Sequence, residues 1–362
     1  MKRVTMQDIA DEIGVSIGTV DRAIHNRPGI SPATREKILK CIEEKGYRSS
    51  FFGGSTITSR TSIYKIGVII QNIPSFFWGA VKKGIMVAAR DFSHYGIEIV
   101  LKELDVRVMR ESSKLVEKMD ELVKENVNAI IVVPSNNEAV KNKINELVDK
   151  GIVIVTLNDD VNGTKRLFYV GPHIGQDGRL AGELMGLYLK GKGNVLIINN
   201  DIESWEYSER IRGFSDILKE KYPEVTILAQ YTYNYRNLVS GNDVFLLKIL
   251  EEAENINGIY DLNSITFHQV GHLIKKNEKL KNTVLIGHEI WGEVRELMKE
   301  GYIKACISQD PFSQGYFAVR QLCRYVFEGK TPEYERMYTK LEIIMKENLE
   351  GEDSIAKLSL DY

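Results

Sequence analysis

From Tyr64 onward, short runs of valine, isoleucine and leucine alternate with longer amphipathic stretches, and this alternation leaves the chain few folds to adopt. Ile66-Gly67-Val68-Ile69-Ile70, Ile97-Glu98-Ile99-Val100, Ala129-Ile130-Ile131-Val132-Val133 and Ile152 through Leu157 make a first series. Val195-Leu196-Ile197-Ile198, Val225-Thr226-Ile227-Leu228, Gly258-Ile259-Tyr260 and Val284-Leu285-Ile286-Gly287 make a second. Such runs read as buried strands, and strands separated by helices pair in parallel with helices on both faces. The expectation is an α/β body of two lobes, with a cleft between the carboxyl ends of their strands where ligands bind.

The residues just after those strands are the candidate site. They include Phe76, Phe77 and Trp78, then Asn136, then Asn158 and Asp159, with Asp160 beside them. Arg210, Tyr235, Asn263, Glu289 and Gln309 complete the set. Aromatic faces cover the apolar side of a sugar ring, and amides, carboxylates and a guanidinium satisfy vicinal hydroxyls that lose water on binding. An isolated strand-end asparagine is more often a turn residue than a ligand; recurrence after most strands favours the functional reading. Asp159, Asp160 and Glu289 make the expected cleft acidic, which disfavours phosphorylated sugars.

The first 48 residues have a different pattern. Thr5 precedes a helix with Ile9, Ala10 and Ile13 on one face, and Gly14 ends it. Ser16 suits the cap of a second helix from Ile17 to Ile24, and Ser31-Pro32 opens a third that carries Ile38, Leu39 and Ile42. Two short helices across a glycine turn, closed by a third, form a helix-turn-helix. Ile17, Gly18 and Arg22 then face base edges, and Arg22 can read guanine through O6 and N7. Thr5, Ser16, Thr19, Arg27, Ser31, Thr34 and Arg35 are candidate backbone contacts. The plain alternative for a bare three-helix pattern is a small structural domain.

The net charge of −2 over 362 residues places any nucleic-acid surface locally. Cys41, Cys306 and Cys323 are odd in number and widely spaced, so they read as free thiols of a reducing compartment. The chain reaches Asp8 before any apolar core, so no signal peptide is expected, and no run is long enough for a membrane span. His268 and His272 stand four apart without the acid of a metalloprotease helix, so no metal is expected. No phosphate-binding loop or nucleophile elbow occurs, and Ile66-Gly67-Val68 lacks the glycine turn of a dinucleotide-binding enzyme. No cofactor and no catalytic activity are expected.

Val4 through Ser16, Thr19-Val20-Asp21-Arg22 and Ile30 through Ile38 resemble the head of the LacI family of transcription regulators, with matching spacing. Asp21 stands where that family usually has a phosphate-contacting serine. The next stretch departs from the family's leucine-bearing hinge helix: Gly53-Gly54-Ser55-Thr56 reads as a flexible linker. Asn72 through Phe77, Val155 through Asn158, Arg210 through Phe214, Ile259 through Asn263 and Ile307 through Pro311 resemble type I periplasmic sugar-binding proteins, especially ribose-binding ones. That resemblance puts Phe76, Asn158, Arg210, Asn263, Glu289 and Gln309 on sugar-contacting positions; Glu289 stands where aspartate is usual. It implies a cytoplasmic homodimer on a near-palindromic double-stranded DNA operator, with repression the commoner behaviour and a sugar, sugar acid or polyol as effector. The expected layout is a head at 1–48, a linker at 49–62, an effector-binding body at 63–346 and a tail at 347–362. Within the body, lobe 1 is expected at 63–158 and 310–335 and lobe 2 at 159–308 and 336–346. Chain exchange between them is expected near Asn158–Asp160, His288–Trp291 and Gln309–Pro311. A transport binding protein, the rival reading, needs a signal peptide and no head.

Overall fold

The computed structural model describes residues 5–24, 29–45, 63–72, 76–105, 111–199, 205–232 and 256–349. The expected linker at 49–62 lies outside them, as do Arg27, Tyr235 and the tail beyond residue 349.

The head consists of α1 (Met6–Ile13), α2 (Ile17–Ile24) and α3 (Pro32–Lys45). Thr5 starts α1 with a reciprocal cap: its hydroxyl accepts from the Asp8 amide, and its own amide donates to the Asp8 carboxylate at 2.7 Å. Gly14 ends the helix at φ 71°, a left-handed geometry that costs glycine little. Ile9, Ala10, Val20, Ala23, Ile38, Cys41 and Ile42 meet as a small core. Lys45 ties α3 to α1 through Glu12 at 2.9 Å.

The body contains β1 (Tyr64–Asn72), β2 (Ile97–Asp105), β3 (Ala129–Val132), β4 (Val153–Leu157) and β5 (Phe168–Gly171). β6 (Lys192–Asn199), β7 (Glu224–Thr232), β8 (Gly258–Asp261), β9 (Val284–His288) and β10 (Ala305–Ser308) follow, then β11 (Arg336–Tyr338) and β12 (Glu342–Ile344). They form two six-stranded sheets, ordered β11-β5-β4-β3-β1-β2 and β12-β10-β9-β8-β6-β7. Pairing is parallel throughout except between β10 and β12. The first sheet is covered by α4 (Phe76–Asp91) and α11 (Pro311–Glu328) on one face and by α5 (Ser112–Lys124) and α6 (Glu138–Asp149) on the other. The second is covered by α7 (Ile174–Tyr188) and α8 (Trp205–Lys221), and opposite them by α9 (Ser264–Lys276) and α10 (Gly292–Lys299). Helices on both faces explain why the central strands β3, β4, β8 and β9 are apolar on both sides rather than alternating.

The sheet order corrects the expected lobe boundaries. β5 pairs with β4 and β11 pairs with β5, so residues 168–171 and 336–338 belong to lobe 1. The chain therefore leaves lobe 1 after Gly171 rather than near Asn158–Asp160. It returns between β10 and α11, and leaves again between β11 and β12. Nothing crosses at His288–Trp291, because β9, α10 and β10 all stay with the second sheet. Phe168-Tyr169-Val170-Gly171, absent from the strand runs read in the sequence, pairs with β4 on the side opposite β3.

Close helix packing places the residues that matter. A Cβ at Gly178 of α7 would fall 1.9 Å from the carbonyl oxygen of Arg210 in α8, so these backbones touch only because the side chain is absent.

Candidate ligand cleft and helical head

Three residues at the carboxyl ends of β4, β9 and β10 are held at positive φ: Asn158 at 63°, Glu289 at 62° and Asp310 at 54°. Left-handed geometry costs a non-glycine residue on the order of 1 kcal/mol, and such strain clusters at functional sites. It aims their side chains away from the regular course of the strands.

These ends meet in a buried polar network. Arg210, 1% exposed, donates from Nε to Asp177 Oδ2 at 2.8 Å. Its Nη2 lies 2.8 Å from Glu206 Oε1 and donates to Gln309 Oε1 at 3.0 Å. Gln309 donates from Nε2 and from its backbone amide to Glu289 Oε1, at 3.0 and 3.2 Å. The Gln309 carbonyl accepts from Gln314 Nε2 at 3.1 Å and Thr339 Oγ1 at 2.9 Å. Gln314 Oε1 accepts in turn from Asn158 Nδ2 at 3.3 Å. Residues from both sheets are thus joined through the segment that links β10 to α11.

Burial sets the protonation states. It pushes Glu289 up to about 8 even though Gln309 bonds to the charged form, so near neutral pH the group is mostly a neutral acid. Its Oε2 is buried without a hydrogen-bond partner, so the protonated form is a donor still to be used. Burial pushes Asp177 up to about 6, against the pull of Arg210, and Asp261 to about 7. Burial also opposes charge on Arg210, but Asp177 and Glu206 outweigh it and hold the pKa above its ordinary value. His288 is driven well below its ordinary value by burial and by Arg210. Its neutral ring meets Tyr260 Oη at 2.8 Å and stands 3.6 Å from Asp177 Oδ1.

Of the cleft candidates, Asn158, Arg210, Glu289 and Gln309 belong to one connected network. Asn263 is buried nearby, its backbone N–H donating to Asp261 Oδ1 at 2.9 Å. Asp159 is buried and accepts from the Asp160 amide at 2.8 Å. Phe76 is 51% exposed, whereas Phe77 and Trp78 pack edge to face at 4.9 Å in the core of lobe 1. Asn136 is exposed in the turn ahead of α6, outside the network. Asp160 is corrected: Arg166 grips it bidentately, with both contacts at 2.6 Å, and Arg336 adds a third at 3.3 Å. Burial raises the Asp160 pKa, but Arg166 outweighs it and the net shift is downward. With Asp160 neutralised and Glu289 mostly protonated, the cleft is less acidic than expected. Asp177, Glu206 and Gln314 escaped sequence reading because they sit inside helical stretches, where nothing in the pattern separates them from solvated polar positions. His268 meets the edge of Trp291 and His272 bonds Glu293 at 3.0 Å. Among the described residues, no group of three or more His, Cys, Asp or Glu side chains is placed to hold a metal ion.

In the head, Ser16 accepts from the Thr19 amide at 3.1 Å, and Ser31 does the same for Thr34 at 3.1 Å. Each serine hydroxyl also bonds the threonine hydroxyl it caps, at 2.8 and 2.7 Å. α2 buries Val20 and Ala23 and turns Gly18, Arg22 and Ile17 outward, the last 44% exposed. A branched apolar side chain held in water beside a glycine and an arginine suits contact with a thymine methyl and guanine. Arg35 is half-buried on α3.

A family described as "Bacterial regulatory proteins, lacI family" matches residues 5–50, and one described as "Periplasmic binding protein domain" matches residues 66–331. The chain belongs to the LacI family of regulators. Its body is a periplasmic-binding-protein domain and its head is the family's DNA-binding helix-turn-helix. It is 25% identical to catabolite control protein A of Priestia megaterium over 262 residues, 71% of this chain and 73% of that one. It is 30% identical to the HTH-type transcriptional regulator RegA of Clostridium saccharobutylicum over 158 residues, 43% of this chain and 45% of that one. The fold matches that of GanP, a glucose-galactose binding protein from Geobacillus stearothermophilus, at TM-score 0.71 and 23% identity, covering 80% of this chain and 99% of that one. As a LacI-family protein the chain is a DNA-binding transcription regulator with a sugar-binding type of sensory body. Among the described residues, no helix is long and apolar enough to cross a membrane.

Proposed function

We propose that this regulator is a cytoplasmic homodimeric repressor whose operator affinity is set by a small carbohydrate-like effector, a sugar, sugar acid or polyol, bound between the lobes. The observation that carries the reading is the network joining Asn158 of lobe 1 to Glu289 and Arg210 of lobe 2 through Gln314 and Gln309. It supplies buried donors and acceptors at strand ends, where α/β sheets bind ligands. Phe76, Asn158, Arg210, Asn263, Glu289 and Gln309 are the proposed effector contacts. Ile17, Gly18 and Arg22 are the proposed base contacts, with Thr5, Ser16, Thr19, Ser31, Thr34 and Arg35 toward phosphates. The proposed division is a head at 1–48, a linker at 49–62 and a body at 63–346, with no catalytic step assigned to any part. A homodimer places its two heads on a near-palindromic site. An effector that binds one lobe angle more tightly shifts the population of that state and so the placement of the heads.

The test is thermal unfolding of the full-length protein against sugars, sugar acids and polyols, followed by operator titration with any ligand that stabilises. A ligand at about 100 times its dissociation constant adds roughly 2.7 kcal/mol. A stabilising sugar that also changes operator affinity supports the reading. Stabilisation with unchanged operator affinity would break the proposed link between cleft and head.

A further inference from the structure

Arg210 is the cationic side chain of the network, and its surroundings limit what it can receive. Two carboxylates already grip it, Asp177 through Nε at 2.8 Å and Glu206 through Nη2 at 2.8 Å, and Gln309 takes a further bond from Nη2. None of these contacts uses Nη1. Arg166 and Arg336, the guanidinium groups near the end of β4, are both turned to Asp160, and Arg336 also donates to Asn162. Asp177 is fully buried, and Glu206 is 14% exposed on the first turn of α8.

We infer that Asp177 and Glu206 act as a charge filter that makes Arg210 a receiver of neutral hydroxyl or ring oxygens, so that the effector is an uncharged sugar or polyol and its acids and phosphates are rejected. This rests on the reading of the cleft as the effector site and narrows it. The physical argument is one of balance. One guanidinium flanked by two carboxylates carries a net negative charge, so an incoming anion meets repulsion from two groups at distances comparable to the one that attracts it. A hydroxyl has no such difficulty, because it can accept from a guanidinium hydrogen or donate to a carboxylate oxygen. Asp177 Oδ1 is such an acceptor, buried without a hydrogen-bond partner; a carboxylate or phosphate, having only acceptors to offer, leaves it so. Removing either flanking charge uncovers the guanidinium and admits the anion.

The experiment compares matched pairs on the full-length protein by thermal unfolding and calorimetry: D-glucose with D-glucuronate, D-galactose with D-galacturonate, and D-ribose with ribose 5-phosphate. The expected result is that a binding pair favours its neutral member by about 100-fold or more, and that Glu206→Gln narrows the ratio at least tenfold by strengthening the anion. Asp177→Asn is the harsher variant, because a fully buried side chain is altered; Glu206→Gln keeps the test available if Asp177→Asn does not fold. A merely structural role for Glu206 lowers affinity for both members and leaves their ratio unchanged, which overturns the filter. An anion binding as well as its neutral partner in the unaltered protein also overturns it, while the sugar reading of the cleft stands. No response to either member of any pair, nor to the wider panel of sugars, sugar acids and polyols, overturns both.

Discussion

Glu289 couples the cleft to pH in a direction that can be worked out. In the folded chain it keeps its proton to about pH 8, whereas an unfolded glutamate releases it near about 4.3. Between those values the folded state binds more protons, so stability is fully present below the unfolded pKa and is lost as pH rises through the folded one. Asp261, held up to about 7, acts in the same direction. His288 acts oppositely, because it stays neutral when folded while its unfolded form takes a proton below about pH 6.5. The decline is therefore cleanest from pH 6.5 to 8. Glu289→Gln is expected to remove the Glu289 share of it, a slope approaching about 1.4 kcal/mol per pH unit at the low end of that range and falling to about half of that near pH 8, as read from urea unfolding at closely spaced pH values. An unchanged slope in the variant would mean that Glu289 is ionised in the fold. Glu289 was visible in the sequence as a strand-end acid, but its protonation was not, because it depends on burial supplied by β10 and α11.

At the scale of elements, the approach of α7 to α8 brings Asp177 against Arg210. Gly178→Ala is expected to push these helices apart at the Arg210 carbonyl and to destabilise the body by about 1–3 kcal/mol, the usual cost of overpacking. It should also weaken binding of any effector found in the cleft, since the Arg210 geometry moves with α8; denaturation and calorimetry on the same variant measure both effects. Full stability in the alanine variant would show that the backbones separate freely. In the head, α2 exposes Arg22 beside Ile17 and Gly18. Arg22→Ala is expected to reduce specific binding by roughly 1–3 kcal/mol and to relax preference at the base pair it reads. A gel-shift titration that finds equal affinity and equal sequence preference removes Arg22 from base readout. The helix starts of the head were legible in advance, since Thr5, Ser16 and Ser31 cap locally with residues three positions on.

For the whole molecule, the two sheets share one strand order, and the chain links them after β5, after β10 and after β11. Gln309 lies in the second link, bonded to lobe 2 through Glu289 and Arg210 and to the segment leaving β11 through Thr339. A ligand that draws on this network would act at the links between the lobes, the step by which occupancy of the cleft is proposed to reach the head. Asn263→Ala removes a cleft amide from the end of β8, away from the links. It is expected to abolish the effector's influence on operator binding while leaving ligand-free operator affinity unchanged, measured by paired titrations with and without ligand. Loss of ligand-free DNA binding in that variant would place Asn263 in the architecture rather than in ligand contact.

Periodicity and capping act over a few residues, so the sequence alone determined the helices of the head, most strands of the body, its two-lobed α/β class and the strand-end residues worth suspecting. Pairing between distant segments is a property of packing, so tertiary structure decided that residues 168–171 and 336–338 join the first sheet. It also decided that Asp160 answers Arg166 rather than a ligand, and that Asp177 and Glu206 close on Arg210. Those partners are up to 33 positions apart in the chain, and only burial makes their charges depend on one another.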